Sequence, residues 1–187
     1  MKKILALFLT IVMAFSLFAC GTKNVSPERA AKNALNSYLD ELPTKSVNPN
    51  NPMDTTIQFV DFIQEKYSYS IISFEITNDT SANAIVAINN RDLGTSFATT
   101  TAFFILYAFG AAFSENPPTD DELNDYYKSL LTESFDGAPI VTTNVSIALE
   151  NINGSWQVTS VADNIYDAVS GNLWSAIEEL ANEFPAE

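Results

Sequence analysis

From Leu93 to Ser114 the chain runs without a single charged side chain. A segment of that length and character has two stable destinations, a bilayer or a protein interior, and either one dictates how the flanking residues fold. It includes Phe97, Phe103, Phe104, Ile105, Leu106, Phe109 and Phe113, while hydroxyls crowd its first half at Thr95, Ser96, Thr99, Thr100 and Thr101. Strand-like stretches lie on both sides and can pair only if no membrane separates them. The pattern therefore predicts a core helix lying across an antiparallel sheet, with its aromatic side chains filling the concave face.

The strands announce themselves by a period of two. Ile72, Phe74 and Ile76 alternate with Ser73, Glu75 and Thr77, and beyond Asn78-Asp79-Thr80 the run Ala84 to Ile88 is again strand-like, which predicts a hairpin. A second hairpin follows from Val141, Thr143, Val145, Ile147 and Leu149, the turn Asn153-Gly154, and then Trp156 and Val158. Helical signals surround them. Ser26-Pro27 is a cap followed by a proline at the first helical position, Ala31, Ala34, Leu35, Tyr38 and Leu42 give one face, and Pro43 predicts the end. Asn51-Pro52 repeats the device ahead of Met53, Ile57, Val60, Ile63 and Tyr67. Thr119 with Glu122 is a capping box before Leu123, Tyr126, Tyr127, Leu130 and Leu131. Val169, Leu173, Ile177, Leu180 and Phe184 mark a last helix interrupted near Gly171. The expected class is α+β, an antiparallel sheet built from two β-hairpins and packed against several helices, with residues 26–187 as one domain.

The start of the chain obeys other rules. Met1-Lys2-Lys3 precedes an apolar run from Ile4 to Ala19, and the only cysteine, Cys20, stands directly behind it. Two lysines followed by about sixteen apolar residues have the anatomy of a secretory signal. Leu17-Phe18-Ala19-Cys20 with Gly21 after it resembles the lipobox of a bacterial lipoprotein. The resemblance implies cleavage between Ala19 and Cys20, removal of residues 1–19, and a diacylglyceryl thioether on Cys20 that holds the mature chain to the bilayer outside the cytoplasm. Residues 20–25 would then be the lipidated cysteine and a short tether, reaching at most ~17 Å. From such an anchor, a crossing at Leu93–Ser114 would deliver to the cytoplasm an acidic tail in which Lys128 is the only basic residue, against the positive-inside tendency.

Charge narrows the functions available. The chain has 9 basic and 23 acidic residues, a net charge of −14, and without Lys2 and Lys3 the remainder carries −16. That balance disfavours nucleic acid and anionic lipid surfaces, both of which are negative. Histidine is absent, and with Cys20 lipidated no free thiol remains, so the usual zinc, haem and thiol chemistries lack ligands and no cofactor or metal is expected. Asp120, Asp121, Glu122 and Asp125 lack the alternating spacing of a calcium loop and read as first-turn acids of a capped helix.

The anchored start, the opening helices and the closing hairpin from Val145 to Val161 with Asn153-Gly154-Ser155-Trp156 at its turn resemble the NTF2-like and cystatin-like domains of Gram-positive lipoproteins. The resemblance implies a pocket between sheet and helices, for which Phe97, Phe103, Phe104, Tyr107 and Trp156 are the candidate lining. It implies a module that binds a small ligand or assists another protein; the alternative is an envelope interaction or scaffold protein whose core is filled. An enzyme is the least expected, since nothing beyond Asp61 or Asp92 as a base and Tyr67 or Tyr107 as a polarising group offers itself. The address is testable directly. Cys20→Ser should shift the protein from the membrane fraction to the soluble fraction or leave the precursor unprocessed, and unchanged retention of processed protein would overturn the anchor.

Overall fold

A computed structural model describes residues 26–45 and 59–183. Ala19, Cys20 and the tether, the Asn51-Pro52 start of the second helix with Met53 and Ile57, and Phe184 lie outside the described residues.

Helix α1 (Pro27–Lys45) begins as its cap residue predicts, with Ser26 Oγ accepting the Arg29 amide at 3.3 Å. Ala31, Leu35, Leu39 and Leu42 form its buried stripe at spacings of four, four and three. Pro43 does not stop it. A proline at this position cannot donate to the Leu39 carbonyl, and the Tyr67 hydroxyl donates to that oxygen instead at 2.9 Å, so the helix runs on to Lys45 with its freed acceptor satisfied. Helix α2 (Phe59–Lys66) buries Phe59 and Ile63, and Tyr67 falls just beyond it at the entry to the sheet.

The sheet has four strands, β1 (Ser68–Asn78), β2 (Ser81–Arg91), β3 (Ile140–Ile152) and β4 (Ser155–Val161), in the order β1-β2-β3-β4 with every neighbour antiparallel. Two hairpins are thus joined edge to edge by β2 and β3. At the second turn Asn153 and Gly154 both have positive φ, 54° and 86°, the backbone a two-residue turn needs to match strand twist. In β1 the expected single face breaks. Ile71 pairs with Val86 and Ser73 with Ile85, so Ile72 is an extra residue on a bulge and is 55% exposed. Tyr69 and Ile71 before it, and Phe74 and Ile76 after it, pack on the core.

Only one face of the sheet is covered. Val86, Ile88, Val145, Ile147, Leu149 and Trp156 are buried there against α1 and against α5 (Ile165–Ser170), whose Ile165 and Val169 are fully enclosed. The opposite face presents Ser70, Ser73, Asn83, Asn144 and Ser146 to solvent, the alternation expected of a one-sided antiparallel sheet. Between β2 and β3 stand α3 (Leu93–Ala111) and α4 (Asp120–Asp136), and α6 (Leu173–Glu183) follows α5. The break between α5 and α6 falls where expected, with Gly171 at φ 59° and Asn172 at φ 63°.

All these elements converge at the end of β2. Asn90 is fully buried; its amide donates to the Ile63 carbonyl of α2 at 2.9 Å and the Val169 carbonyl of α5 at 2.5 Å, while its own oxygen accepts the Arg91 amide. Arg91 reaches Glu65 of α2 at 3.1 Å and Asp136 of α4 at 3.5 Å. The Gly94 amide donates to the Gly171 carbonyl at 2.8 Å, and a Cβ on Gly171 would collide with the Arg91 carbonyl oxygen. Asn90→Ala strands two buried carbonyls and should cost about 2–4 kcal/mol. Gly171→Ala meets both the left-handed backbone and the collision and should cost ~2 kcal/mol or more. Urea denaturation of each variant measures this; changes below about 0.5 kcal/mol, the range of an ordinary surface substitution, would mean the junction carries no such weight.

Candidate docking surface on the projecting helices

The uncharged helix α3 is not the core helix its composition predicts. Its buried residues, Leu93, Gly94, Phe97, Thr100 and Thr101, all lie in the first half. Beyond Thr101 it packs against α4 on one side and α6 on another and does not cross the sheet. The inner face that it was expected to cover is already taken by α1 and α5. The second half therefore leaves the body at the Arg91 end of the sheet, and ten residues from Ala102 to Ala111 carry it roughly 15 Å farther.

What remains in solvent there is large and apolar. Phe103, Leu106, Phe109 and Phe113 are 66%, 73%, 69% and 77% exposed, and Ile105 and Tyr107 are also exposed. Six such side chains fall within eleven residues, a denser run of exposed apolar groups than any other among the described residues. The helix is long and apolar enough to cross a membrane by length and composition, with 28% of its apolar window buried. Its partnership with α4 runs against a crossing. Thr101 and Tyr127 share a hydrogen bond of 2.6 Å, Phe104 meets Tyr127 at 4.7 Å and Tyr107 meets Tyr126 at 4.6 Å, so α3 would drag Asp125 and Lys128 into lipid or lose these contacts.

The α3–α4 pair is set by its caps. Thr119 Oγ1 accepts the Glu122 amide at 3.3 Å and Glu122 accepts the Thr119 amide at 2.9 Å, the reciprocal box the sequence predicts. The Thr119 amide, and with it the Thr119 hydroxyl, donates to the Glu122 carboxylate and holds it below the usual carboxylate range. Asp92 caps α3 by accepting the Thr95 amide at 3.1 Å.

On its other side α3 runs beside α6 in the same direction, from the Gly94–Gly171 hydrogen bond outward. Small residues, Ala98 and Ala102 on α3 and Ala176 on α6, leave a groove of about 410 Å³ between the helices. Ile105, Leu106 and Leu180 form its walls, and Glu179 and Glu183 edge it. A shallower hollow of about 260 Å³ lies between α3 and α4 beneath Phe103, and another of about 430 Å³ lies on the sheet beside the end of β4. None of the three is walled by both sheet and helices.

The residues singled out from sequence are therefore scattered. Phe97 and Trp156 belong to the packed core; Phe103, Phe104 and Tyr107 lie outside it on the projecting half of α3. Asp61 is exposed on α2, away from any of the three hollows. Tyr67 is half-buried and committed to the Leu39 carbonyl; burial chiefly raises its pKa, with Tyr69 and Asp40 adding to the effect. Tyr69 is pushed up to about 12, first by burial and then by its hydrogen bond to Asp40. These tyrosines stay protonated and tie α1 to β1. The groove residues Ala98, Ala102, Ala176 and Leu180 drew no functional notice in the sequence, because alanines at helical spacing carry no chemical signature until two helices meet.

Comparison with known protein families, curated proteins and solved structures finds no match to this chain. Function therefore rests on the surface itself. Phe109→Ser with Phe113→Ser should leave stability within about 0.5 kcal/mol, because both rings are already in water, whereas Phe97→Ala should cost ~3–5 kcal/mol. Thermal melts of the two variants check this, and an equal loss in both would mean the outer half of α3 is part of the fold's interior.

Proposed function

We propose that this chain is a lipid-anchored extracytoplasmic interaction module, in which the α+β body serves as a stand and the outer half of α3 as the contact surface. The observation that carries the reading is the cluster from Phe103 to Phe113. Its exposure places no load on the fold, yet ordering six large apolar side chains in water is unfavourable and calls for a partner. The anchor part of the reading is supported by Cys20 behind its apolar leader.

Geometry gives the two parts a common logic. Lys32 lies over the Phe74 ring at 5.2 Å, while farther along α1 Asp40 accepts from Tyr69, so α1 runs antiparallel to β1. Its start is therefore at the Asp79-Thr80 turn, and α3 departs from the opposite end of strands ~33 Å long. A chain tethered just ahead of Pro27 would hold the apolar helix pair outward from the membrane, within reach of other envelope components. The resemblance to NTF2-like and cystatin-like domains belongs to the same proposal; opening helices laid on one face of an antiparallel sheet support it. The small-ligand alternative has less to stand on, since the inner face of the sheet is occupied by Leu35, Leu39, Ile63 and Val169.

A photo-crosslinking amino acid at Phe109, introduced in the native cell, tests the reading. A discrete protein adduct, absent when the same probe replaces exposed Thr159 on β4, is expected. Adducts to lipid alone, or identical patterns from both positions, would sink it.

A further inference from the structure

We infer that the groove between α3 and α6 receives an amphipathic helix of another protein, one that carries lysine or arginine beside its apolar ridge; this rests on the interaction reading above. The groove has the shape for a helix. Two helices running side by side with Ala98, Ala102 and Ala176 between them leave a furrow into which a third row of side chains can interdigitate. Among the described residues only the two helices line it, so an extended peptide would find no strand edge there to pair with. The apolar track continues past the end of α6 through Phe109 to Phe113, and from Ala98 to Phe113 it is ~22 Å long, about four helical turns.

Charge selects the occupant. Glu179 and Glu183 edge the groove, and neither is paired with a cation among the described residues. Glu115, Asp120 and Asp121 stand at the tip close after Phe113, and from Asp92 to Glu187 Lys128 is the only basic residue. An apolar floor with an acidic, cation-free border is complementary to an amphipathic helix with a basic flank. The same border repels the other candidates. A second copy of this chain brings another net charge of −14 and the same glutamates, and an anionic bilayer surface brings phosphates.

The test uses the full chain reconstituted in phosphatidylcholine nanodiscs, with empty discs as reference. Three fluorescent 14-residue amphipathic peptides share the same leucine ridge and carry lysine, glutamate or serine on the polar face. Anisotropy should show one site for the leucine–lysine peptide, weakened at least tenfold by Leu106→Asp. Glu179→Gln with Glu183→Gln should weaken it several-fold and flatten its salt dependence, and the leucine–glutamate peptide should not bind. Leu106 is exposed, so its variant keeps the wild-type melting curve, and a shifted curve moves the substitution to Ala102→Arg on the groove floor.

If all three peptides bind alike and Leu106→Asp abolishes them, the surface docks helices but the basic partner is overturned. If none distinguishes loaded from empty discs, the interaction reading falls with it. Sedimentation showing Leu106-dependent pairing of the chain, or Leu106-dependent binding to added phosphatidylserine vesicles, would also overturn the inference in favour of a second copy or a lipid surface.

Discussion

The buried amide of Asn90 is the constraint on which the rest of the arrangement hangs. A polar side chain with no exposure to solvent is tolerated only when its donors and acceptor are all used, and here they are used on three different segments. Ile63 of α2, Val169 of α5 and the strand's own next amide are held in one register by a group that would be costly to leave unpaired. Arg91, the next residue, adds a second tie to α2 and α4, its partners partly in water. Such exposed-partner ion pairs contribute little by themselves. The return of the chain from α4 to the sheet is held by the backbone, where the Asp92 amide donates to the Pro139 carbonyl at 2.8 Å and Arg91 pairs with Ile140.

With β2 ended and its neighbours pinned in this way, α3 has a single direction left. Gly94 lets α3 approach the Asn172 backbone just ahead of α6, Gly171 lets the α5–α6 link approach the Arg91 carbonyl, and both helices then run outward together. The inner face of the sheet is full before α3 could reach it, occupied by the leucines of α1 and by Ile165 and Val169 of α5. The hydroxyl-rich half of α3 serves as the root of this projection. Thr100 and Thr101 are small enough to let α4 approach, and Thr101 satisfies its hydroxyl on Tyr127. The phenylalanine-rich half meets Tyr126 and Tyr127 of α4 along one side and leaves Phe103, Leu106, Phe109 and Phe113 in solvent. The protein thus carries two apolar populations with different fates, one that closes the body and one that decorates it.

Much of the local structure could be read residue by residue. Ser26-Pro27, Thr119 with Glu122, and Asn153-Gly154 each satisfy or pre-set backbone groups within four residues, so no distant contact can overrule them, and each reappears in the structure. The two hairpins and the interruption at Gly171 were legible for the same reason. Ile72 was not. A bulge is decided by what β2 offers across the ladder, and alternation within β1 alone assigns Ile72 to the wrong face. Pro43 was misleading in a similar way, since the acceptor it releases is satisfied by Tyr67, whose hydroxyl arrives from beyond α2.

By itself the sequence determined the α+β class, the caps and turns, the acidic balance and the residue that an anchor would use, because these depend on neighbours along the chain or on sums over it. Only the tertiary structure decided which half of the uncharged segment is buried. Burial is a competition for a limited inner face, and α1 and α5 occupy it. The groove between α3 and α6 was decided the same way, by Gly94 at the root, where the Asn172 backbone approaches α3, and by alanines facing across a gap no single helix possesses.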